Sequence, residues 1–415
     1  MITTLHGDCR DTLKTIPDGS VHCCVSSPPY WGLRSYLPKD HPDKHREIGQ
    51  EKTPEAFVQT MVEVFREVRR CLHDSGTLWL NLGDSYAYEM RGGSLSQYKE
   101  VQSGRYSPQG GKTDDTMKSQ HFEPRKASLA GLKPKDLCLI PWRVVMALQA
   151  DGWWVRSVIV WHKKSCMPES VTDRPTNSWE PIFLLAKSAR YFYDAEAVKE
   201  PSDYPELAGK PQKVDYRASD ALPNGVQSDS VVIRSSTRNQ RNVWSLGPEP
   251  FSEAHFATFP TEIPRRAILA GTSARGCCPK CLTPWERQVE TKSINRTELP
   301  KDHPEYRPSR YVGKYDGSQT VAIAGERRGQ YSESRTVGWQ PGCKCEGDWS
   351  GSSMWRHQKP LDPIPCTVLD PFGGSGTTGA VALELGRNAI LCELNDDYLP
   401  LINQRTNVTK GLALA

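Results

Sequence analysis

Apolar and polar positions along the chain follow two alternating periods. Short apolar runs at Ile2–Leu5, Val21–Ser26 and Thr77–Leu82 have the length and side chains of buried strands. Between the second and third, Phe57, Met61, Val64, Val68 and Leu72 recur at helical spacing behind Thr53-Pro54-Glu55. Thr53 can cap that helix, Pro54 suits its first position, and Gly76 reads as its end. A shorter helix opens at Asp8, a candidate N-cap, and runs through Leu13. Strand, helix, strand, helix, strand is the order of a parallel α/β sheet. The pattern predicts a further helix over Pro141–Ala150, with Val144, Val145 and Leu148 inward, and strands at Val155–Trp161 and Pro181–Ala186.

Three polar stretches break the pattern. Residues 85–132, rich in Gly, Ser and Lys, read as a mobile insertion. Glu200–Asn242 ends in Arg234-Ser-Ser-Thr-Arg238-Asn239-Gln240-Arg241-Asn, and Thr291–Arg335 is aperiodic and lies between two cysteine pairs. With 415 residues the chain has room for two or three lobes, and 37% hydrophobic against 25% charged content fits a soluble globular protein. A net charge of +4 permits nucleic-acid binding without arguing for it. No apolar run approaches the roughly 18 residues of a membrane span, and the start lacks a signal-peptide layout, so the expected location is cytoplasmic. The 13 cysteines then read as reduced thiols, some able to hold metal.

The chain's end carries its most specific pattern. Cys366–Leu369 reads as a buried strand that runs into Asp370-Pro371-Phe372-Gly-Gly374-Ser-Gly376-Thr377-Thr378-Gly379, with a helix expected over Gly376–Leu385. The next strand, Asn388–Cys392, ends at Glu393, 23 positions after Asp370, where a carboxylate can accept both hydroxyls of a ribose. The glycines also match a dinucleotide fingerprint, which keeps a nicotinamide-dependent oxidoreductase open. A P-loop is excluded, because Ala380 stands where a lysine is required. One more helix, Asp396–Asn403, follows. An open nucleotide-binding sheet needs two further strands after it. Ile2–Leu5 and Val21–Ser26 can supply them, which makes the sheet circularly permuted and brings the turn Ser27-Pro28-Pro29-Tyr30 to the edge where ligands bind.

Ser-Pro-Pro-Tyr together with Asp-Pro-Phe-x-Gly-x-Gly resembles the S-adenosylmethionine-dependent amino-methyltransferases of DNA, in the arrangement with the catalytic motif first. Gly7-Asp8, Gly83-Asp84, Ser178-Trp179-Glu180-Pro181 and Phe259-Pro260 extend the resemblance over most of the chain. It implies an α/β, Rossmann-like methyltransferase domain built from 1–84, 133–199, 246–276 and 361–415, with 85–132 inserted. It also implies base flipping, with Tyr30 stacked on the extruded base, Ser27 and Pro28 accepting its amine hydrogens, and Pro29 stiffening the turn. On the cofactor side it implies that Phe372, Gly374 and Gly376 shape the methionine pocket, beside Pro371, Thr377 and Thr378. Asp370 would face the amino group, Glu393 the ribose and Asp8 the adenine, with Phe259, Pro260 and Thr261 as a further contact. Serine at position 27 favours N4 of cytosine, with N6 of adenine the alternative. Pro365-Cys366 leads into the cofactor strand and is not read as a carbon-5 methylation nucleophile.

Cys278-Pro-Lys-Cys281 and Cys343-Lys-Cys345 each suit half of a tetrahedral zinc site, with Cys277 as a substitute ligand, and define a small lobe over 277–346. Arg234, Arg238, Asn239, Gln240 and Arg241, within a recognition region at 200–245, are candidate contacts to double-stranded DNA. A cognate restriction endonuclease is the expected functional partner. A non-catalytic zinc-bearing DNA-binding protein stays open as a rival class.

Overall fold

The computed structural model describes residues 1–87, 131–166, 168–203, 211–214, 230–233, 236–247, 249, 259–295, 330–350 and 357–413. Most of the insertion expected at 85–132, together with Arg234 and the middle of the third polar stretch, lies outside the described residues. The chain divides into two compact units. The first is Met1–Tyr193, Asn242–Pro284 and Cys343–Ala415; the second is Asp194–Arg241 and Trp285–Gly342.

The first unit is built on an eight-stranded sheet. Its strands are β1 (Ile2–His6), β2 (Val21–Ser26), β3 (Leu72–Asn81), β4 (Trp154–Lys163), β5 (Trp179–Ala186), β6 (Val243–Leu246), β7 (Thr367–Asp370) and β8 (Asn388–Glu393). The spatial order is β1-β8-β7-β2-β3-β5-β4-β6. β5 runs antiparallel to both β3 and β4, and every other neighbouring pair is parallel. The two strands from the chain's end therefore lie between the two from its start. Val368 sits opposite Cys23, and Ile2 opposite Ala389.

Helices α1 (Cys9–Thr12), α2 (Pro54–Cys71), α3 (Ile140–Ala150), α4 (Glu262–Gly271), α5 (Thr377–Glu384) and α6 (Tyr398–Ala413) complete the unit. α1 and α3 pack on α2, whereas α4 and α6 pack on α5. The sequence predicts α2 well: Thr53 accepts from Ala56 N at 3.2 Å, and Phe57, Met61, Val64, Phe65 and Val68 are fully buried. Each such side chain contributes roughly 1.5–3 kcal/mol. The end of α2 differs from the expectation. It stops at Cys71, and Leu72 is already extended at φ −68° and ψ 137°. Gly76 instead belongs to β3, in a bulge where the register passes from Val21 opposite Leu72 to Cys23 opposite Thr77. Among the described residues no helix is long and apolar enough to cross a membrane.

In the second unit, stretches expected to be aperiodic form β-ribbons. Trp285–Asn295 pairs antiparallel with Gln330–Pro341, Glu200–Pro201 with Thr237–Arg238, and Pro211–Val214 with Ser230–Ile233. A ribbon paired through groups such as Glu290 opposite Arg335 shows no apolar alternation to read. Arg287 fixes the longest ribbon. It bonds Asp194 at 2.7–3.0 Å and lies 4.4 Å from the Trp339 ring centroid. The expected lobe over 277–346 is divided, since its four candidate metal cysteines belong to the first unit and 285–342 to the second.

Candidate active site

Because β2 and β7 are parallel neighbours, the loops that follow them emerge at one edge, and a carboxylate joins them. Ser26 Oγ donates to Asp370 Oδ1 at 2.7 Å, and Thr378 Oγ1 to Asp370 Oδ2 at 2.8 Å. Phe372 N adds a bond of 3.1 Å to the same carboxylate, which is 1% exposed. Burial pushes the Asp370 carboxyl up to about 7 against the pull of the Ser26 and Thr378 hydroxyls and the Phe372 amide. Its oxygens, expected to face a cofactor amine, tie the cofactor loop to the residue before Ser27.

The glycine loop is closed in the same way. Gly376 caps α5 at φ 80°, a conformation that disfavours a side chain, and a Cβ there would stand 3.2 Å from Ile402 Cα. Glu393 accepts from Gly374 N at 2.7 Å and from Asn395 N at 2.8 Å, and burial raises its carboxyl to about 7. Arg405 of α6 donates to Ser375 Oγ at 3.1 Å and Thr377 Oγ1 at 2.9 Å. Pro371, Thr377 and Thr378 are buried, and Phe372 is half-buried against the core. Asp8 caps α1 by accepting from Arg10 N at 2.8 Å. Burial raises the Asp8 carboxyl, but the Arg10 side chain and amide, with Arg46, outweigh it and hold it below its ordinary value. Gly7 N donates to Glu393 O at 2.9 Å, so Asp8 follows directly on the strand that pairs with β8. Thr261, at the start of α4, bonds Glu249 through N and Oγ1 at 2.9 and 3.0 Å, and Pro260 beside it is buried.

On the β2 side, Ser27 Oγ donates to Asn81 Oδ1 at 3.3 Å. Its proton is therefore engaged. Tyr30 Oη donates its one proton to Glu180 Oε2 at 2.8 Å and lies 3.1 Å from Asn81 Oδ1. Asn81 Nδ2 holds Pro181 O at 3.2 Å, and Lys163 Nζ pairs with Glu180 Oε1. Burial, with the Glu180 charge beside it, pushes the Tyr30 hydroxyl well above its usual range, so it stays protonated. Pro28 is buried and Pro29 half-buried. Asn81, Glu180, Lys163 and Gly83 had no role assigned from sequence. Gly83 and Glu180 carried a signal through the motifs Gly83-Asp84 and Ser178-Trp179-Glu180-Pro181, whereas Asn81 and Lys163 carried none.

Among the described residues, six cysteines and one histidine form two groups in each of which the candidate ligand atoms lie within 4.8 Å of one another. One is Cys278, Cys281, Cys343 and Cys345; the other is His22, Cys277 and Cys366. Cys277 therefore does not substitute in the four-cysteine group. The second group does not fit a metal: His22 Nδ1 accepts from Thr367 N at 3.0 Å, which leaves the proton on Nε2, bonded to Leu282 O at 2.8 Å. Of the candidate DNA contacts, Arg238 pairs with Glu200 and Asp203, and Arg241 with Glu200 at 2.6 Å. Asn239 is exposed and Gln240 half-buried, whereas Arg234 lies outside the described residues.

A family model described as DNA methylase, of the N6/N4 type, matches residues 21–278 and 366–404, which contain both motifs. The chain belongs to this family. A type II methyltransferase of Serratia marcescens, M.SmaI, is 32% identical over 399 residues, 96% of this chain and 88% of that protein. M.Cfr9I of Citrobacter freundii is 40% identical over 270 residues, 65% of this chain and 72% of its own. M.SfiI of Streptomyces fimbriatus is 29% identical over 429 residues, 95% of this chain and 88% of its own. The DNA methylase match leaves out 279–365, so three of the four clustered cysteines lie beyond it.

Proposed function

We propose that this type II DNA methyltransferase moves the methyl group of S-adenosylmethionine to the exocyclic N4 of cytosine in duplex DNA, within a specific recognition sequence. S-adenosylmethionine supplies an electrophilic methyl on a sulfonium. The residues present suit it. Glu393 offers a carboxylate for ribose hydroxyls, Gly374 and Gly376 leave room at the loop, and Phe372 gives an apolar wall.

The chain's own part is to make a poor nucleophile react. The amine lone pair is delocalised into the ring until its hydrogens are accepted and nitrogen rehybridises. Ser27 Oγ and the Pro28 carbonyl take those hydrogens, and Tyr30 stacks on the flipped base. Flipping costs a few kcal/mol. The carbon–nitrogen bond forms as the carbon–sulfur bond breaks, S-adenosylhomocysteine leaves as the thioether, and the methylated amine gives its extra proton to solvent water. Alignment is the main requirement, and the preorganised acceptors supply it.

The observation that carries this reading is the bond from Ser26 to Asp370, which couples the catalytic turn to the cofactor loop. Serine at position 27 favours cytosine over the N6-adenine alternative. The strand order supports a circularly permuted methyltransferase sheet, and the four-cysteine group supports a structural zinc. Residues 200–245, with Arg238, Asn239, Gln240 and Arg241, are proposed to read DNA, and the type II relatives support a cognate endonuclease and a cytoplasmic setting.

The test is to incubate the protein with S-adenosylmethionine and unmethylated DNA, digest to nucleosides and identify the product by mass spectrometry. N4-methylcytosine that disappears with Tyr30→Ala is expected. N6-methyladenine would overturn the reading of Ser27, and no methylated base on several DNAs would overturn the activity.

A further inference from the structure

The four clustered cysteines stand where the chain leaves the first unit and where it returns. The first unit's chain runs to Pro284 and resumes at Cys343, so Cys278 and Cys281 precede the excursion and Cys343 and Cys345 follow it. Their sulfurs lie within 4.8 Å of one another. A tetrahedral Zn–S length of about 2.3 Å sets sulfurs about 3.8 Å apart, within that limit. Polar groups that suit thiolate sulfurs surround them. Lys280 N donates to Cys278 Sγ at 3.4 Å, and the Thr283 hydroxyl is 3.2 Å from Cys281 Sγ. Lys280 Nζ crosses from the first turn to bond Glu346 O beside the second at 2.9 Å. Four thiolates around Zn²⁺ carry a net double negative charge, and each turn contributes a lysine, Lys280 or Lys344.

The first turn is also anchored to the sheet. Leu282 N closes it on Cys278 O at 2.9 Å, and Leu282 O bonds His22 Nε2 at 2.8 Å. His22 Nδ1 in turn accepts from Thr367 N at 3.0 Å. The cysteines are thereby tied to β2 and β7, at the ends of these strands opposite the catalytic and cofactor loops. Cys277 and Ile364 exchange backbone bonds of 2.8 and 2.9 Å just before β7.

We infer that a Zn²⁺ ion bound by Cys278, Cys281, Cys343 and Cys345 staples the two ends of the 285–342 excursion to the catalytic sheet and serves DNA discrimination, not methyl-donor binding. Residues 285–342 belong to the same unit as 194–241. The functional half of the inference therefore rests on the proposal that 200–245 reads DNA. Cofactor contacts lie at the opposite ends of β2 and β7 and do not need the ion.

The test uses the full chain. Wild type, Cys343→Ser/Cys345→Ser and Cys281→His are purified without chelator and assayed for metal by mass spectrometry. S-adenosylhomocysteine affinity is measured by calorimetry, and methylation is compared on duplexes with and without the recognition sequence. Expected are one zinc per chain in wild type and Cys281→His, none in the double variant, and unchanged S-adenosylhomocysteine affinity throughout. The preference for cognate duplex should fall on the order of tenfold in the zinc-free variant and persist in Cys281→His. If the double variant does not fold, wild type stripped with a zinc chelator and reloaded replaces it, with S-adenosylhomocysteine binding as the check of the fold. Iron, disulfides or no metal in wild type would overturn the site, and full discrimination in folded zinc-free protein would overturn its role. A wild type that holds zinc and binds S-adenosylhomocysteine but methylates no DNA refutes the DNA-modification reading. The staple then stands or falls on whether zinc removal opens 285–342 to protease.

Discussion

Replacing Gly83 with alanine is expected to separate catalysis from cofactor binding. A Cβ at Gly83 would stand 2.2 Å from Tyr30 Cε2, 2.5 Å from Cδ2 and 3.0 Å from Cζ. Non-bonded carbons rest at about 3.5–4.0 Å, so the ring must retreat by more than about 1 Å. It cannot slide freely, because its hydroxyl is held by Glu180 at 2.8 Å, beside Asn81 at 3.1 Å. The ring must tilt about that hydroxyl or give up its bond to Glu180. Either movement takes it out of the plane proposed to stack on the target base, and a displacement of about 1 Å costs on the order of 100-fold in rate. That equals about 2.7 kcal/mol of transition-state stabilisation. Overpacking adds about 1–3 kcal/mol of lost stability. The assay is single-turnover methylation of cognate duplex, with S-adenosylhomocysteine binding measured in parallel by calorimetry. A rate roughly 100-fold down with unchanged cofactor affinity is the expected result. A Gly83→Ala rate within about threefold of wild type would refute the argument, since the ring's position would then not limit the reaction.

Other consequences concern the buried carboxyls. Asp370 keeps its proton up to about 7 in the folded state. Between its ordinary value and that point the unfolded chain has lost a proton that the native state retains. Its contribution to stability is therefore full at low pH and declines as pH rises through this window, by up to roughly 4 kcal/mol. Asp370→Asn should flatten that slope in urea unfolding followed from about pH 4 to pH 8; an unchanged slope would argue against the shift. Glu393, also raised to about 7, should bind ribose hydroxyls better once ionised. S-adenosylhomocysteine affinity is then expected to rise between about pH 6 and pH 8 in wild type and to be weaker by roughly tenfold and level in Glu393→Gln, and equal pH profiles would rule this out. Lys163→Met leaves the Glu180 carboxylate without its ion-pair partner. It should cost about 1–3 kcal/mol, part of which returns in Lys163→Met/Glu180→Gln; strict additivity in the double-mutant cycle would contradict the pairing.

What the sequence reveals, and what it hides, follows from where each signal resides. Period and capping are local, so α2 and the strands around it are readable from Thr53, Pro54 and the stripe Phe57, Met61, Val64 and Val68. That the chain's start adjoins its end in the sheet is readable because an acid before the glycine loop and an acid ending the next strand mark two strands, and Ile2–Leu5 and Val21–Ser26 can supply their neighbours; the antiparallel β5 carries no such mark. The site's inner bonds are not local. Ser26 and Asp370 are 344 positions apart, and Tyr30 and Glu180 150 apart. No spacing rule foretells such partners. The ribbons of the second unit escaped because their pairs, such as Glu290 opposite Arg335, mix charged and polar residues without a regular apolar alternation, and Gly76 misled because a glycine punctuates bulges as well as helix ends. His22 and Cys277 show the same limit, since only geometry reveals that both ring nitrogens of His22 are engaged.

The placement of β7 and β8 between β1 and β2 also bears on how the protein is made. On the ribosome, β1 emerges long before β8, yet among the described residues its ladder partners in the sheet belong to β8. β2 can pair with β3 on one side, but its other edge stays open until β7 arrives. At roughly 5–20 residues per second, the interval between β1 and β8 is tens of seconds. Throughout it two strand edges are exposed, which favours association with other chains. The nascent protein is therefore expected to depend on chaperones, and a product that stops short of residue 366 has no glycine loop and no means of closing its sheet. The proposed hold on the methyl donor accordingly arrives only with β7 and β8.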